Sequence, residues 1–376
     1  METRFRPPAP PSFAEVNGCV TVLGVLRSIL VLPLLLVPLL SQPAKKPFDV
    51  WALHRLARIS DPQLSPDGST LAFVVTKAYV SDNTKEKHIY TISIDGGTEQ
   101  RITFSGKQNE RPRWSPGSNQ IAFVSDRSGS SQIWLMNSDG SRARQVTDLA
   151  TEAAGVVFST DGEHLLFTSR VFPECSADDA CNKEKLRLQK EGPVKAQVFD
   201  RLLYRHWDTW NDGRRTHLLV AGIDGDQVRD LTPGRRDVPP FSLGGPDGYA
   251  VSPDGFEVCF TMAATRSPAT ETNSEIYVVP IQGGEPVMIT ANPAVDTSPL
   301  YSPDGRYIAY RAQSRPNYES DRFTLIVYDR TTGDTADVTE TSDRWVTGIA
   351  WSPDSSRLFF TAEDRGRSPI YTVPAV

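Results

Sequence analysis

One four-residue turn recurs along most of the chain and constrains its fold more than any other feature. The serines that open its copies are separated by 50, 44, 93, 50 and 50 residues. The copies are Ser65-Pro66-Asp67-Gly68, Ser115-Pro116-Gly117-Ser118, Ser159-Thr160-Asp161-Gly162, Ser252-Pro253-Asp254-Gly255, Ser302-Pro303-Asp304-Gly305 and Ser352-Pro353-Asp354-Ser355. In such a turn proline presets φ, aspartate bonds its own neighbouring backbone, and glycine accepts the positive φ that closes a hairpin. The sequence therefore predicts a β-hairpin at each copy.

Each turn lies between two strand-like segments, and two more follow. In the second repeat the first three segments are residues 111–114, 120–125 and 133–136. A glycine-containing turn comes next, and the last segment ends in an apolar residue followed by threonine. These pairs are Ile102-Thr103, Val146-Thr147, Leu231-Thr232, Ile289-Thr290 and Val338-Thr339. Four short strands repeated every 44 to 50 residues are typical of propeller blades.

The repeat predicts an all-β protein, a β-propeller of four-stranded blades with five complete blades and a truncated sixth. Complete blades are expected at about residues 60–103, 110–147, 153–232, 247–290 and 297–339. The sixth begins near Thr347 and stops after Pro374, which leaves strand edges unpaired, so we expect 46–376 to be an incomplete propeller. Tandem sandwiches are the competing all-β interpretation, but they do not need one turn at a fixed spacing.

The doubled spacing in the third repeat predicts a partly helical insertion at residues 171–216, between the second and third strands. It contains Cys175 and Cys181, then a charged, helix-like stretch at 182–190, then an aromatic-rich stretch at 199–210. Insertions this long in repeat proteins usually have a functional role. A disulfide between the two cysteines is favoured, and two unpaired surface thiols are the alternative. A metal site is disfavoured, because no histidine or second cysteine pair lies nearby in the sequence.

The first 45 residues have a different character. Arg27 precedes an apolar run at 29–40 that ends in small and polar residues, which is typical of a signal peptide. The run is short for a membrane span, which needs about 20 apolar residues, and Pro33 and Pro38 disfavour a helix there. We expect residues 1–45 to be a signal peptide with an upstream segment, an uncleaved anchor being the alternative. We therefore expect a periplasmic or secreted protein that has no stable membrane span after cleavage.

The charge distribution argues against a nucleic-acid partner. The formal net charge is −6, and lysine and arginine are scattered among acidic residues without a basic stripe that could neutralise phosphates. The polar run at 125–129 lacks the order of a phosphate-binding or calcium loop. No nucleic acid, cofactor or metal is predicted.

Five strings carry a more specific signal, at residues 46–51, 58–64, 203–210, 241–246 and 307–313. With them the chain, from about residue 46 to its end, resembles the dipeptidyl-peptidase V and acylaminoacyl-peptidase branch of the prolyl-oligopeptidase family of serine peptidases. The blade motifs alone are shared with TolB-type propellers. The resemblance implies a propeller that covers a C-terminal α/β-hydrolase domain of the same polypeptide, so that only oligopeptides reach a Ser-Asp-His triad.

That hydrolase domain is not expected within this sequence. It contains no Gly-x-Ser-x-Gly elbow. Its histidines are interpreted as packing or surface residues, so no catalytic residue is assigned and the chain alone should be inactive; they are His54, His88, His164, His206 and His217. The predicted function is a substrate-gating propeller of a secreted serine peptidase. The alternative is a non-catalytic TolB-like propeller that binds a periplasmic protein, which does not require the insertion or a continuation beyond Val376.

The insertion supplies the candidate substrate contacts. The adjacent glutamate pair of the dipeptidyl-peptidase IV group is absent from the sequence. The segment that begins at His206 is instead predicted to reach the domain interface. There Asp208 would pair with an ammonium group, Trp207 or Trp210 would form an apolar wall, and Arg205 could bind a carboxylate. The alternative interpretation is an aromatic cluster that packs the insertion onto the third blade, with Asp208 bridged to a local arginine.

Overall fold

The computed structural model describes residues 47–200, 202–240, 248–265 and 269–375. The chain divides into two units, Met1–Phe48 and Asp49–Val376, and nearly all described residues belong to the second. The predicted signal peptide (1–45) and the string at 241–246 lie outside the described residues. Within the described ranges, no helix is long and apolar enough to cross a membrane.

Antiparallel sheets dominate the second unit. A short helix, α1 (Val50–Arg55), begins after Asp49, whose Oδ1 accepts a hydrogen bond from the Ala52 amide at 2.7 Å. Two four-stranded sheets follow, each with its strands paired in chain order. Their strands are β1 (Arg58–Leu64), β2 (Thr70–Tyr79), β3 (Thr84–Ser93) and β4 (Gln100–Arg101), then β5 (Asn109–Trp114), β6 (Gln120–Ser125), β7 (Gln132–Asn137) and β8 (Arg144–Gln145).

The third sheet is interrupted by a helix and a separate two-stranded hairpin. Its elements are β9 (Ala154–Phe158), β10 (His164–Val171), α2 (Asp179–Glu191), β11 (Arg205–His206), β12 (Thr209–Trp210), β13 (Arg215–Gly222) and β14 (Arg229–Asp230). Strands β10 and β13 pair along their whole length, and the last pair is Val171 with Arg215. Residues 171, 215 and 216 of the predicted insertion therefore lie in strands, and residues 172–214 connect β10 to β13; we use the name insertion for this connecting segment. The charged stretch at 182–190 lies within α2.

Three further sheets complete the described chain. Their strands are β15 (Tyr249–Val251), β16 (Glu257–Ala263), β17 (Ser274–Pro280) and β18 (Val287–Met288), then β19 (Asp296–Tyr301), β20 (Tyr307–Ala312), β21 (Thr324–Asp329) and β22 (Thr335–Asp337), then β23 (Val346–Trp351), β24 (Arg357–Ala362) and β25 (Ile370–Pro374). The last sheet has three strands among the described residues, and the other five large sheets have four each. This is an all-β, propeller-like fold.

Apolar clusters join consecutive sheets. Alternate residues of a strand point to opposite faces, so each sheet can pack against both of its neighbours. A large buried side chain lies in the cluster of each successive pair of sheets: Phe123, Phe167, Phe260, Ile308 and Phe360. The core is therefore distributed between sheets.

The recurrent turn is held together by its serine and aspartate. In the first copy Ser65 Oγ donates to Asp67 Oδ1 at 2.5 Å and accepts from the Thr70 amide at 3.0 Å. Gly68 has a φ of 73° and its amide donates to the Ser65 carbonyl at 2.8 Å. In the last copy the pKa of Asp354 is lowered to about 2, chiefly because its carboxylate accepts a hydrogen bond from the Ser352 hydroxyl.

The apolar-threonine pairs have one structural role in five sheets. Each threonine Oγ1 accepts a hydrogen bond at 2.9 Å from a backbone amide of the third strand, 14 residues earlier. The acceptor and donor residues are Thr103 and Ile89, Thr147 and Ile133, Thr232 and Leu218, Thr290 and Ile276, and Thr339 and Leu325. Since the fourth strands have only two or three residues, this bond extends the pairing of a short outer strand.

Replacing Thr147 with valine is expected to lower the free energy of unfolding by about 1 to 3 kcal/mol. The change keeps the shape of the side chain but removes the hydroxyl that accepts from the Ile133 amide. The site is buried, since Thr147 is 3% exposed, so water does not replace the lost acceptor. Urea denaturation measures the effect. Thr98→Val at an exposed position is the control, and an equal change in both variants would contradict the assigned role.

Candidate functional site in the insertion

A disulfide-closed loop opens the insertion. Cys175 and Cys181 are bonded through their sulfur atoms, and their Cα atoms are 5.5 Å apart. Inside this loop Asp178 caps α2, because its Oδ1 accepts from the Cys181 amide at 3.0 Å. The loop therefore joins the end of β10 to the first turn of α2. The remaining free cysteine among the described residues, Cys259, is buried, and burial raises the pKa of its thiol.

A buried asparagine fills the interior of this loop. Asn182 is 1% exposed and uses both ends of its amide group. Its Oδ1 accepts from the Phe172 amide at 2.9 Å, and its Nδ2 donates at 2.9 Å to the carbonyls of Ser176 and Asp178. These bonds satisfy backbone groups that have left the β10 ladder.

An ion pair ties the loop to the third sheet. His217 Nδ1 lies 2.6 Å from Asp230 Oδ2, and Nε2 lies 2.9 Å from the Gly234 carbonyl. Both partners are hydrogen-bond acceptors, and each ring nitrogen lies within donating distance of one of them. The two side chains are 0% and 4% exposed. Ser176 Oγ also donates to Asp230 Oδ2, at 2.6 Å, and so fixes the loop to β14.

These three residue types also occur in hydrolytic triads, but their order in space differs here. In a triad the histidine lies between the serine and the carboxylate, and it accepts the proton of the serine. Here Asp230 lies between Ser176 and His217 and accepts from both. The arrangement gives the serine no base, so it is a structural anchor.

Asp212 provides a second anchor, at the other end of α2. The side chain of Gln189, in the last turn of α2, donates to the Asp212 carbonyl at 3.0 Å. The Asp212 carboxylate accepts from Arg214 Nε at 2.8 Å and from Arg170 Nη2 of β10 at 3.2 Å. Burial raises the pKa of Asp212, but the hydrogen bond and charge of Arg214 together with Arg170 outweigh it and lower the pKa. Asp212 therefore links α2 to β10.

The strands β11 and β12 form a small hairpin that carries the predicted contact residues. Arg205 pairs with Trp210 and His206 pairs with Thr209, so that Trp207 and Asp208 form the tip. We call β11, β12 and this tip the insertion hairpin. All of its residues are exposed.

The tip of the insertion hairpin has two unusual properties. Trp207 is 84% exposed and has a φ of 46°, a region that bulky residues rarely adopt. Asp208 forms no ion pair with the described part of the chain, and its Oδ1 lies 3.5 Å from Thr209 Oγ1. The tip thus presents an aromatic face and a carboxylate to solvent.

Trp210 has a different environment from Trp207. Its ring centroid lies 6.0 Å from those of Phe199 and Tyr204, and the latter two rings are 5.6 Å apart. The aromatic cluster therefore forms within the insertion and leaves Trp207 outside it. Trp207 approaches only the neighbouring ring of His206 among the described aromatic residues, at 6.3 Å.

A second buried polar cluster lies between the fourth and fifth sheets. Glu275 and Asp296 are 3% and 1% exposed. Thr290 Oγ1 donates to Glu275 Oε2 at 2.6 Å, and Asn292 Nδ2 donates to Asp296 Oδ1 at 2.8 Å. Asp296 Oδ2 is buried and accepts no hydrogen bond from the described residues. Burial, and to a smaller extent the charge of Glu275, raises the pKa of Asp296 to about 7.

The sequence analysis missed the anchoring residues Ser176, Asn182 and Asp230 and the carboxyl pair. One repeated position in the blades marks two of the clusters, those that contain His217 and Glu275. The residue directly before the amide that binds the repeat threonine is polar and buried in four consecutive sheets: His88, Gln132, His217 and Glu275. Within the described ranges, no group of three or more His, Cys, Asp or Glu side chains is arranged to hold a metal ion.

Comparison with known proteins gives a consistent result. The TolB beta propeller domain family matches residues 55–187. Dipeptidyl-peptidase 5 of Porphyromonas gingivalis is 31% identical over 327 residues, which are 85% of this chain and 46% of that protein. Two solved structures share the fold. Pyrococcus horikoshii acylaminoacyl peptidase has a TM-score of 0.62 and 19% identity, covering 85% of this chain and 46% of that one. The β-propeller domain of the trilobed protease from Pyrococcus furiosus has a TM-score of 0.54 and 17% identity, covering 85% and 81%.

The repeated sheets form a propeller-like fold, and a TolB beta propeller domain is present at residues 55–187. Over 85% of its length the chain is similar to dipeptidyl-peptidase 5, and it shares its fold with acylaminoacyl peptidase structures. It spans about half the length of the curated relatives it matches.

Proposed function

We propose that this chain is the substrate-gating propeller of a secreted or periplasmic serine peptidase that cleaves oligopeptides. Its partner is a C-terminal α/β-hydrolase domain of the same polypeptide, which carries the catalytic triad. Each large sheet is one blade, five with four strands and the sixth with three among the described residues, and residues 172–214 are a functional insertion in the third. The similarity to dipeptidyl-peptidase 5 over 85% of the chain supports this function.

The single observation that carries the site assignment is the exposed tip of the insertion hairpin, where Trp207 and Asp208 lie side by side. In this proposal Asp208 binds the free amino terminus of a peptide, because an ammonium group forms strong charge-assisted hydrogen bonds with a carboxylate. Trp207 supplies an apolar wall and attracts the same cation through its ring. Its positive φ supports a binding role, since unusual backbone conformations concentrate at ligand sites. Arg205, on the adjacent strand, is placed to bind a peptide carboxylate.

A second candidate function is favoured by the TolB family match at 55–187. In that case the chain binds a periplasmic protein and has no catalytic partner domain. Only the first function assigns a peptide contact to the tip of the insertion hairpin, so one residue at that tip separates the two.

In the polypeptide that carries the hydrolase domain, Asp208→Ala is expected to lower kcat/KM about 10- to 100-fold for peptides with a free amino terminus. That factor corresponds to the loss of one hydrogen bond to a charged group. N-acetylated peptides should lose much less, because they carry no ammonium. Asp95→Ala, at an exposed turn of the first blade, is the control. Equal rates for wild type and Asp208→Ala on free peptides would contradict the assigned contact, and peptide hydrolysis by residues 46–376 alone would contradict the division of roles.

A further inference from the structure

The helix of the insertion has little to hold it against the third sheet. Of its 13 residues only Asn182 is buried. A helix this short is marginal in water without tertiary packing. Segments with few buried contacts open at low free energy while the rest of the protein stays folded. The position of α2 therefore depends on a few polar contacts. Asp179 accepts from the Ala150 amide, Lys185 contacts Glu174 and the ring of Phe172 beside the disulfide loop, and Gln189 donates to Asp212.

The disulfide loop depends in turn on its covalent closure. Ser176 has a φ of 52°, which is unfavourable for a residue other than glycine, yet it must keep this conformation for its hydroxyl to reach Asp230. The N-cap Asp178 lies inside the same ring of residues, between Cys175 and Cys181. Opening that ring removes the restraint on the Ser176 contact and on the helix cap together.

We propose that Cys175 and Cys181 form a site of thiol–disulfide exchange with dithiols, and that their reduction releases α2 and the insertion hairpin from the third sheet. The release itself follows from the contacts at the base of the insertion. Its effect on substrates rests on the proposed function, because the insertion hairpin follows α2 in the chain and ends two residues before Asp212, to which Gln189 of α2 donates.

The exchange is a two-electron reduction of the protein by the dithiol. A thiolate of the reductant attacks Cys181 Sγ, which belongs to the less buried of the two residues, and forms a mixed disulfide. Cys175 leaves as a thiolate and takes up a proton. The second thiol of the reductant then attacks its own bound sulfur, Cys181 is released as a thiol, and the reductant becomes a disulfide. A disulfide oxidant reverses both steps.

Hydrogen exchange followed by mass spectrometry tests the release in the chain itself. After treatment with dithiothreitol, amides at 179–191 and 205–212 are expected to exchange at least about tenfold faster, while those of β2 and β3 keep their rates. Alkylation of both cysteines verifies the reduction. Unchanged rates in the verified reduced protein would overturn the proposal, and so would an equal acceleration in β2 and β3, which would indicate general destabilisation.

Two variants separate the disulfide from the hydrogen bonds around it. Cys175→Ser/Cys181→Ser should exchange as the reduced protein does and should not respond to dithiothreitol. Ser176→Ala, which keeps the disulfide, should respond to the reductant as the wild type does. If the double variant fails to fold, chemical reduction of the folded wild type still decides. A slow-exchanging double variant would contradict the proposal.

Catalysis distinguishes this inference from the function on which its consequence depends. In the polypeptide with the hydrolase domain, reduction should lower kcat/KM for free peptides to the level of Asp208→Ala. Faster exchange without this loss would support the release and refute the substrate role of the insertion hairpin. An effect of Asp208→Ala with no release on reduction would support the substrate role and refute the exchange device.

Discussion

Replacing His217 with leucine is expected to lower the free energy of unfolding by about 3 to 5 kcal/mol, because it leaves a buried charge without its partner. Asp230 is 4% exposed through its side chain and would keep only neutral donors, the hydroxyl of Ser176 and the amide of Thr232. A carboxylate in such a place loses its hydration without gaining a cation. Urea denaturation at pH 7 measures the loss.

A double-mutant cycle tests the reason for this loss. His217→Leu/Asp230→Leu removes both charges and is expected to be more stable than either single variant, since neither buried ion is left alone. The pair Arg144 and Asp224 is the control, because its side chains are 40% and 83% exposed. Arg144→Leu should change stability by about 1 kcal/mol or less. Additive losses in the His217 cycle would show that the two side chains do not stabilise each other.

The parts of the fold that the sequence predicts are held by contacts at fixed, short separations. Ser65 and Asp67 are two residues apart, and Thr147 binds an amide 14 residues earlier, as its counterparts do in four other sheets. A contact that recurs at a constant separation leaves a periodic signal in one sequence. This explains why strands and turns could be located without coordinates.

The contacts at the base of the insertion could not be predicted, because they do not recur at a constant separation. Ser176 reaches Asp230 across 54 residues, and Gln189 reaches Asp212 across 23, once each in the chain. The histidine that completes this anchor was interpreted only as a packing or surface residue. Its polar counterparts Gln132 and Glu275 differ from it in type, so residue identity did not reveal the shared position.

The candidate site was predicted in composition but not in arrangement. From the sequence, either Trp207 or Trp210 was predicted to form an apolar wall for a substrate. In the structure Trp210 stacks with Tyr204, while Trp207 is 84% exposed at the tip beside Asp208. The two-residue turn of the insertion hairpin separates them, and such a turn has no unambiguous signal in a stretch without glycine, asparagine or proline.

Opposite pH dependences are expected from two of the aspartates. Asp296 has its pKa raised from 3.8 to about 7 in the folded protein, so it contributes stability that is complete below about pH 3.8 and lost as the pH rises through about 7. Asp354 has its pKa lowered to about 2, so its contribution is present above pH 3.8 and lost as the pH falls through about 2. The two effects therefore occupy separate pH ranges.

Asp296→Asn is expected to raise the free energy of unfolding at pH 8 by about 2 to 4 kcal/mol and to change it little at pH 5. The amide is neutral at both pH values, whereas the wild-type side chain must ionise in a buried site beside Glu275 at the higher one. Asparagine already occupies the first position of β5, where Asn109 contacts His88 as Asp296 faces Glu275. Thermal denaturation between pH 5 and 8 measures the change.

Two further variants show whether the carboxyl pair causes this dependence. Asp354→Asn should shift stability by a similar amount at pH 5 and pH 8, because that aspartate is ionised throughout the range. Glu275→Gln should move the midpoint of the Asp296 effect to lower pH, since it removes the negative charge that helps to raise the pKa of Asp296. Parallel stability curves for wild type and Asp296→Asn from pH 5 to 8 would mean that Asp296 does not titrate in this range. The pKa of about 7 assigned to this aspartate between the fourth and fifth sheets would then be wrong.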